Sequence, residues 1–246
     1  MTFAPVLNLA DLDGSNGFVI NGIAAFDQAG RSVSGAGDIN GDGIEDILIG
    51  APGANSFAGA GYVVFGSDQG FSASLELSAL DGSNGFVING GEGDISSSGT
   101  IVGSAGDIND DGFDDVIVSK ESESSYVLFG SADEFSRTVD LSDFDGSNGF
   151  SIDVESRLVS SAGDVNGDGI DDIIIGNPDA APNGKVDAGT SYVVFGRRDF
   201  SGAPDLENFD ENSGFFINGS NEFEDTGSSV SDAGDINGDG FDDVMV

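Results

Sequence analysis

Three motifs recur in this chain in a fixed order, and that recurrence limits the fold more than any other feature. An acidic nonapeptide, DINGDGIED or a close variant, begins at Asp38, Asp107, Asp164 and Asp235, at intervals of 69, 57 and 71 residues. The sequence YV(V/L)FG occupies 62–66, 126–130 and 192–196, and DGSNGFVING or a close variant occupies 13–22, 81–90, 145–154 and 210–219. Each motif abuts a short β-prone run bounded by Gly, Asn or Asp, and no window shows a helical period. One unit therefore reads as four strands: A in RSVSGAG, B in DILIG, C in GYVVFG and D in GFVIN.

One such unit cannot bury both faces of its own sheet, so the units must stack. Four short strands repeated at roughly 65 residues predict an all-β fold, a β-propeller of four-stranded antiparallel blades with about 3.5 blades present. The expected layout is one propeller segment over 1–246: strand D of a preceding or closing blade at 13–22, blades at 23–90, 91–154 and 155–219, and a partial blade at 220–246. This strand count predicts an open arc with an exposed apolar edge after Val246, prone to self-association.

Composition narrows the partners. With 45 acidic against 7 basic residues the formal net charge is −38, a field that repels phosphate and anionic lipid and attracts cations. Nucleic acid is excluded as a partner, and runs as short as Ile47–Ile49 and Ile173–Ile175 exclude membrane insertion. The start, MTFAPVLNLADLDG, lacks the basic and apolar regions of a Sec-type signal peptide. There is no Cys and no His, so thiol nucleophiles, imidazole bases, disulfides and the usual zinc, copper and iron ligands are all missing. Any metal must be bound through oxygen.

In the first acidic loop the oxygen-bearing side chains stand at positions 1, 3, 5 and 9: Asp38, Asn40, Asp42 and Asp46. Gly43 at position 6 allows a sharp turn, so that these oxygens and the carbonyl of Ile44 can converge on a hard cation of the calcium type. A single copy also fits an Asx turn in a hairpin, the lesser of the two readings; four copies with the ligand types intact favour metal further. An EF-hand is excluded because its position 12 needs a bidentate Glu, where this chain has Ile49, Val118, Ile175 and Val246. The acids at position 8, Glu45, Asp114, Asp171 and Asp242, fall outside the ligand alternation and read as solvated charge.

The D-x-N-x-D-G-x-x-D loop, the Phe-Gly that closes strand C and the Gly-Ala-Pro at 50–52 resemble the FG-GAP repeat of integrin α-subunit propellers and their bacterial relatives. The resemblance covers essentially the whole chain. It implies that the acidic loop joins strands A and B and binds Ca2+, with up to four ions. The implied sites are Asp38, Asn40, Asp42, Ile44 and Asp46; Asp107, Asn109, Asp111, Phe113 and Asp115; Asp164, Asn166, Asp168, Ile170 and Asp172; and Asp235, Asn237, Asp239, Phe241 and Asp243. In each set the position-7 residue contributes its carbonyl. The second repeat departs from the pattern: Asp110 replaces Gly at position 4, and Ser119-Lys120-Glu121 fills the Gly-Ala-Pro slot, which predicts a remodelled B–C loop.

Length variation falls in the B–C and D–A connections, opposite the acidic loops, and the C–D segment is nearly constant. A protein or carbohydrate ligand is therefore expected on the B–C/D–A face, with structural calcium on the other. The leading reading is a non-catalytic calcium-binding scaffold for extracellular or cell-surface adhesion or binding, joined to the remaining blades or domains of a longer chain. The alternative is an accessory propeller of a larger secreted, phospholipase-like hydrolase whose catalytic domain lies elsewhere. No base and nucleophile pair is evident here. Asp94-Ile95-Ser96-Ser97-Ser98 matches a D-x-S-x-S metal motif without the α/β context that motif needs, and GGEGD at 90–94 reads as a D–A loop.

Overall fold

Strand B is the most continuously apolar run of every repeat, and in the first three it lies inside its sheet and is almost wholly buried. A computed structural model describes residues 6–89, 100–120, 124–200, 202–206 and 209–246. In the first blade β2 (Ser32–Gly37), β3 (Asp46–Ala51), β4 (Ala60–Val64) and β6 (Gly85–Asn89) pair in antiparallel order, with Leu48 opposite Val63 and Val63 opposite Phe86. The second blade repeats this with β7 (Thr100–Gly106), β8 (Asp115–Lys120), β9 (Ser125–Leu128) and β11 (Gly149–Ile152). The third has β12 (Leu158–Gly163), β13 (Asp172–Asn177), β14 (Thr190–Val194) and β15 (Gly214–Asn218). A hairpin of β16 (Ser231–Gly234) and β17 (Asp243–Met245) follows. The fold is an all-β propeller segment, an open arc in which β2 packs on β7, β7 on β12 and β12 on β16.

The core lies between blades. Leu48 and Val63 of the first blade share one cluster with Val102, Val116 and Leu128 of the second. Ile117 and Val127 of the second share another with Ile173, Ile175 and Val194 of the third. Tandem independent domains would each need a core of their own, so this sharing marks a single stacked architecture. Phe215 and Phe216 of β15 and Met245 of β17 remain exposed.

Short strands beyond the expected four appear in the C–D connections. β5 (Ser74–Glu76) pairs in parallel with β1 (Val19–Asn21), and β10 (Thr138–Asp140) pairs in parallel with β6 of the blade before it. Each connection thus reaches back and extends its predecessor's sheet from the outside. An aromatic clip fixes the same contact. Phe71 stacks on Phe18 at 4.2 Å, Phe135 on Phe86 at 4.5 Å and Phe200 on Phe150 at 4.2 Å. Such pairs add about 0.5–1.5 kcal/mol each beyond the area they bury. The reach-back contact explains the nearly constant length of the C–D segment, since it must span one fixed blade-to-blade distance.

The B–C connections differ as expected. The first contains a single turn, α1 (Ala54–Phe57), while in the second β8 ends at Lys120 and β9 starts at Ser125. Residues 121–123 of that loop, the 90–94 stretch and the 94–98 motif lie outside the described residues.

Candidate metal centres in the A–B loops

A β-bulge precedes every acidic loop, between Gly35 and Gly37, Ser104 and Gly106, Ser161 and Gly163, and Asp232 and Gly234. The bulge twists strand A out of register just before the loop begins. The loop then turns at position 6, where Gly43, Gly112, Gly169 and Gly240 have φ of 85°, 93°, 89° and 93°, a conformation that excludes most side chains.

Within the first loop the acids hold the backbone. The Asp42 amide donates to Asp38 Oδ1 at 3.0 Å and Asn40 Oδ1 at 2.9 Å, the Gly43 amide to Asp38 Oδ2 at 2.8 Å, and the Ile44 amide to Asp42 Oδ1 at 2.9 Å. The same bonds recur in the other loops on Asp107, Asn109 and Asp111, on Asp164, Asn166 and Asp168, and on Asp235, Asn237 and Asp239. Side chains at positions 1, 3 and 5 are therefore brought together in all four copies.

The position-9 acid does something different. Asp115 is fully buried, its Oδ2 accepting the Ile108 amide at 3.0 Å and its Oδ1 the Gly130 amide at 2.8 Å. Asp46 bridges the Ile39 and Gly66 amides in the same way, and Asp172 those of Val165 and Gly196. Asp243 holds the Ile236 amide at 3.1 Å. This residue ties the acidic loop to the Phe-Gly that ends strand C, which explains why those two motifs travel together.

Burial outweighs these amide bonds and pushes the carboxyls up, Asp46 to about 6, Asp172 to about 7 and Asp115 to about 8. Above about pH 4 the unfolded chain has released the protons that the folded chain still holds at these three sites. In metal-free buffer their contribution to stability is thus full at low pH and is lost as pH rises through about 6 to 8. We expect the urea midpoint in chelator to fall between mildly acidic and mildly alkaline buffer; a flat or rising midpoint contradicts this.

The acids at position 8 correct the sequence reading. Only Glu45 is an exposed charge of the kind expected. Asp114, Asp171 and Asp242 are half-buried and reach the preceding blade, where their Oδ2 atoms accept the amides of Asp38 at 2.7 Å, Asp107 at 2.9 Å and Asp164 at 2.9 Å. Each of the first three loops is therefore clamped by the next one. The position-7 side chains pack in the same interface: Phe113 lies against Gly41 and Phe241 against Gly167, where an added Cβ would stand 2.3 and 2.2 Å from the ring.

Each loop offers three carboxylates, one amide oxygen and one backbone carbonyl, a hard oxygen-only donor set suited to calcium. A carboxylate oxygen that accepts one amide keeps a second lone pair, so the loop's internal bonds are compatible with a ligand role. No ready-made cluster of three or more acidic groups placed to hold a metal occurs among the described residues.

Sequence comparison agrees with this geometry. The FG-GAP repeat matches residues 29–64 and 159–194, which run from strand A through strand C of the first and third blades. The chain carries FG-GAP repeats. It is also 29% identical over 150 residues to integrin alpha-4 of Xenopus laevis, a match covering 57% of this chain and 14% of that protein. The two repeat matches and the partial likeness to integrin alpha-4 support an FG-GAP propeller of the integrin alpha type. The second and fourth FG-GAP-like loops, beginning at Asp107 and Asp235, keep the same hydrogen-bond frame. No helix among the described residues is long and apolar enough to cross a membrane.

Proposed function

We propose that this chain is a calcium-stabilised, non-catalytic propeller scaffold that works outside the cell or at its surface and binds a protein or carbohydrate through its B–C/D–A face. The supporting observation is the fourfold recurrence of one oxygen-rich loop on a single side of the blades, each copy clamped to its neighbour. Asp38, Asn40, Asp42, Asp46 and the Ile44 carbonyl would hold the first ion, and the matching residues from Asp107, Asp164 and Asp235 onward the other three. Bound calcium would supply the positive charge that offsets three clustered carboxylates per loop. The loops then act on the fold: they fix the end of strand A, the start of strand B and, through position 9, the end of strand C. Extracellular location is supported by the likeness to integrin alpha-4.

Calorimetric titration of two variants tests the ligand assignment. Asp42→Ala should abolish calcium binding at the first loop, because position 5 lies on the ligand alternation. Glu45→Ala should leave it nearly intact, since Glu45 is exposed and off that alternation. Equal loss in both variants would overturn the assignment.

A further inference from the structure

Three of the four acidic loops are clamped by the blade that follows, and the two unused halves of that contact lie at opposite ends of the arc. At the fourth loop the Asp235 amide and the Ile236 carbonyl have no partner among the described residues, and a Cβ added at Gly234 or Gly238 would meet nothing within 4 Å. In earlier blades the next blade fills these places. Gly37, Gly106 and Gly163 sit against Asp114, Asp171 and Asp242, Gly41 and Gly167 against Phe113 and Phe241, and the carbonyls of Ile39 and Ile108 accept the amides of Ser131 and Arg197 at 2.9 and 2.8 Å. The apolar layer is open in the same way: Ile236 is 75% exposed where Ile39 and Ile108 are fully buried, and Met245 is 56% exposed where Leu48, Ile117 and Ile174 are fully buried.

The first blade carries the complementary half. Glu45, its position-8 acid, is exposed, and Ser67, which stands in the place of Ser131 and Arg197, has an amide without a partner among the described residues. Val33 is 66% exposed, whereas Val102, Val159 and Val230, which enter the layers shared with the preceding blades, are 4%, 7% and 9% exposed. β1 meets β5 in parallel as β6 meets β10, so β1 occupies the strand D place of a sheet ahead of the first blade. The hairpin of β16 and β17 supplies a strand A and a strand B, with no strand D among the described residues.

We propose that two copies of this chain dock head to tail, the first blade of one stacking on the β16–β17 hairpin of the other in the register of the internal blade contacts. Glu45 of one copy accepts the Asp235 amide of the other, the Ser67 amide donates to the Ile236 carbonyl, and Val33 covers Ile236 and Met245. The fourth acidic loop thereby gains the clamp that the other three have within one chain. The composite blade takes strands A and B from one copy and β1 as strand D from the other. A second copy is the fitting occupant because the same stacking already occurs three times inside the chain, β2 on β7, β7 on β12 and β12 on β16. Each copy keeps one half free, so the contact is heterologous and either propagates or closes into a ring. The net charge of −38 per copy opposes the approach until salt screens it. This docking does not depend on what the B–C/D–A face binds.

The test is sedimentation velocity on the full chain, in millimolar calcium and about 0.15 M salt, where the screening length is about 8 Å. The mean mass should rise with protein concentration. Val33→Asp and Met245→Asp, at positions exposed in a single copy, should each remove that rise by placing a charge in the buried layer. An equal mixture of the two variants should associate again and stop at a heterodimer, because one brings an intact hairpin and the other an intact first blade. That recovery also shows both variants to be folded. A wild-type chain that stays monomeric, a variant that associates as the wild type does, or a mixture that stays monomeric would each overturn the proposal.

Discussion

In millimolar calcium the chain is expected to melt well above its melting temperature in excess chelator. Each acidic loop gathers three carboxylates, and the clamp by Asp114, Asp171 and Asp242 adds a fourth acid to three of those neighbourhoods. With no basic side chain on the ligand alternation, only a bound cation offsets this repulsion. Four divalent ions would bring the formal charge of −38 to about −30. An independent site filled at about 100 times its dissociation constant adds about 2.7 kcal/mol, so even two sites would move the melt clearly. Indistinguishable melts in calcium and chelator would mean that the loops are held by their Asx bonds alone.

The second large effect is expected at Asp115. Replacing it with Ala removes the acceptor from two backbone amides, Ile108 and Gly130, around a fully buried position. Each buried donor left without a partner costs about 1–3 kcal/mol, so the variant should lose about 2–6 kcal/mol. Asp115→Asn keeps one acceptor and should recover part of that loss. Asp243→Ala should cost less, because Asp243 is only half-buried and holds one backbone amide, that of Ile236. Denaturant midpoints of the three variants check the order. An unperturbed Asp115→Ala would contradict the bridging role of position 9 between the acidic loop and strand C.

Strands A to D, their order and the four loops were legible because each is written locally, as a β-prone run, a Gly turn or an alternation of acids. What the sequence hid is non-local. β5 and β10 are three residues each, Ser74–Glu76 and Thr138–Asp140, and their strand character comes from parallel pairing with the preceding unit's strand D, not from their own composition. The clamping role of Asp114 was invisible for the same reason, since the amide it accepts is 76 residues away. The position-9 acid was singled out from spacing, but its two amide partners were not, because one of them, the Gly of the Phe-Gly pair, lies in a different motif. One signal did point beyond the local pattern: the C–D segment hardly varies in length, as a segment bridging two blades must not. Asp110 likewise stood out as a departure at position 4, though nothing local linked it to Arg198.

The central claim, that the repeated A–B loops are calcium sites, is tested most directly by counting ions. Equilibrium dialysis against calcium at saturating concentration should give four ions per chain for the wild-type sequence and three for Asp42→Ala, whose other loops are untouched. No bound calcium, or an unchanged count in Asp42→Ala, would contradict the account.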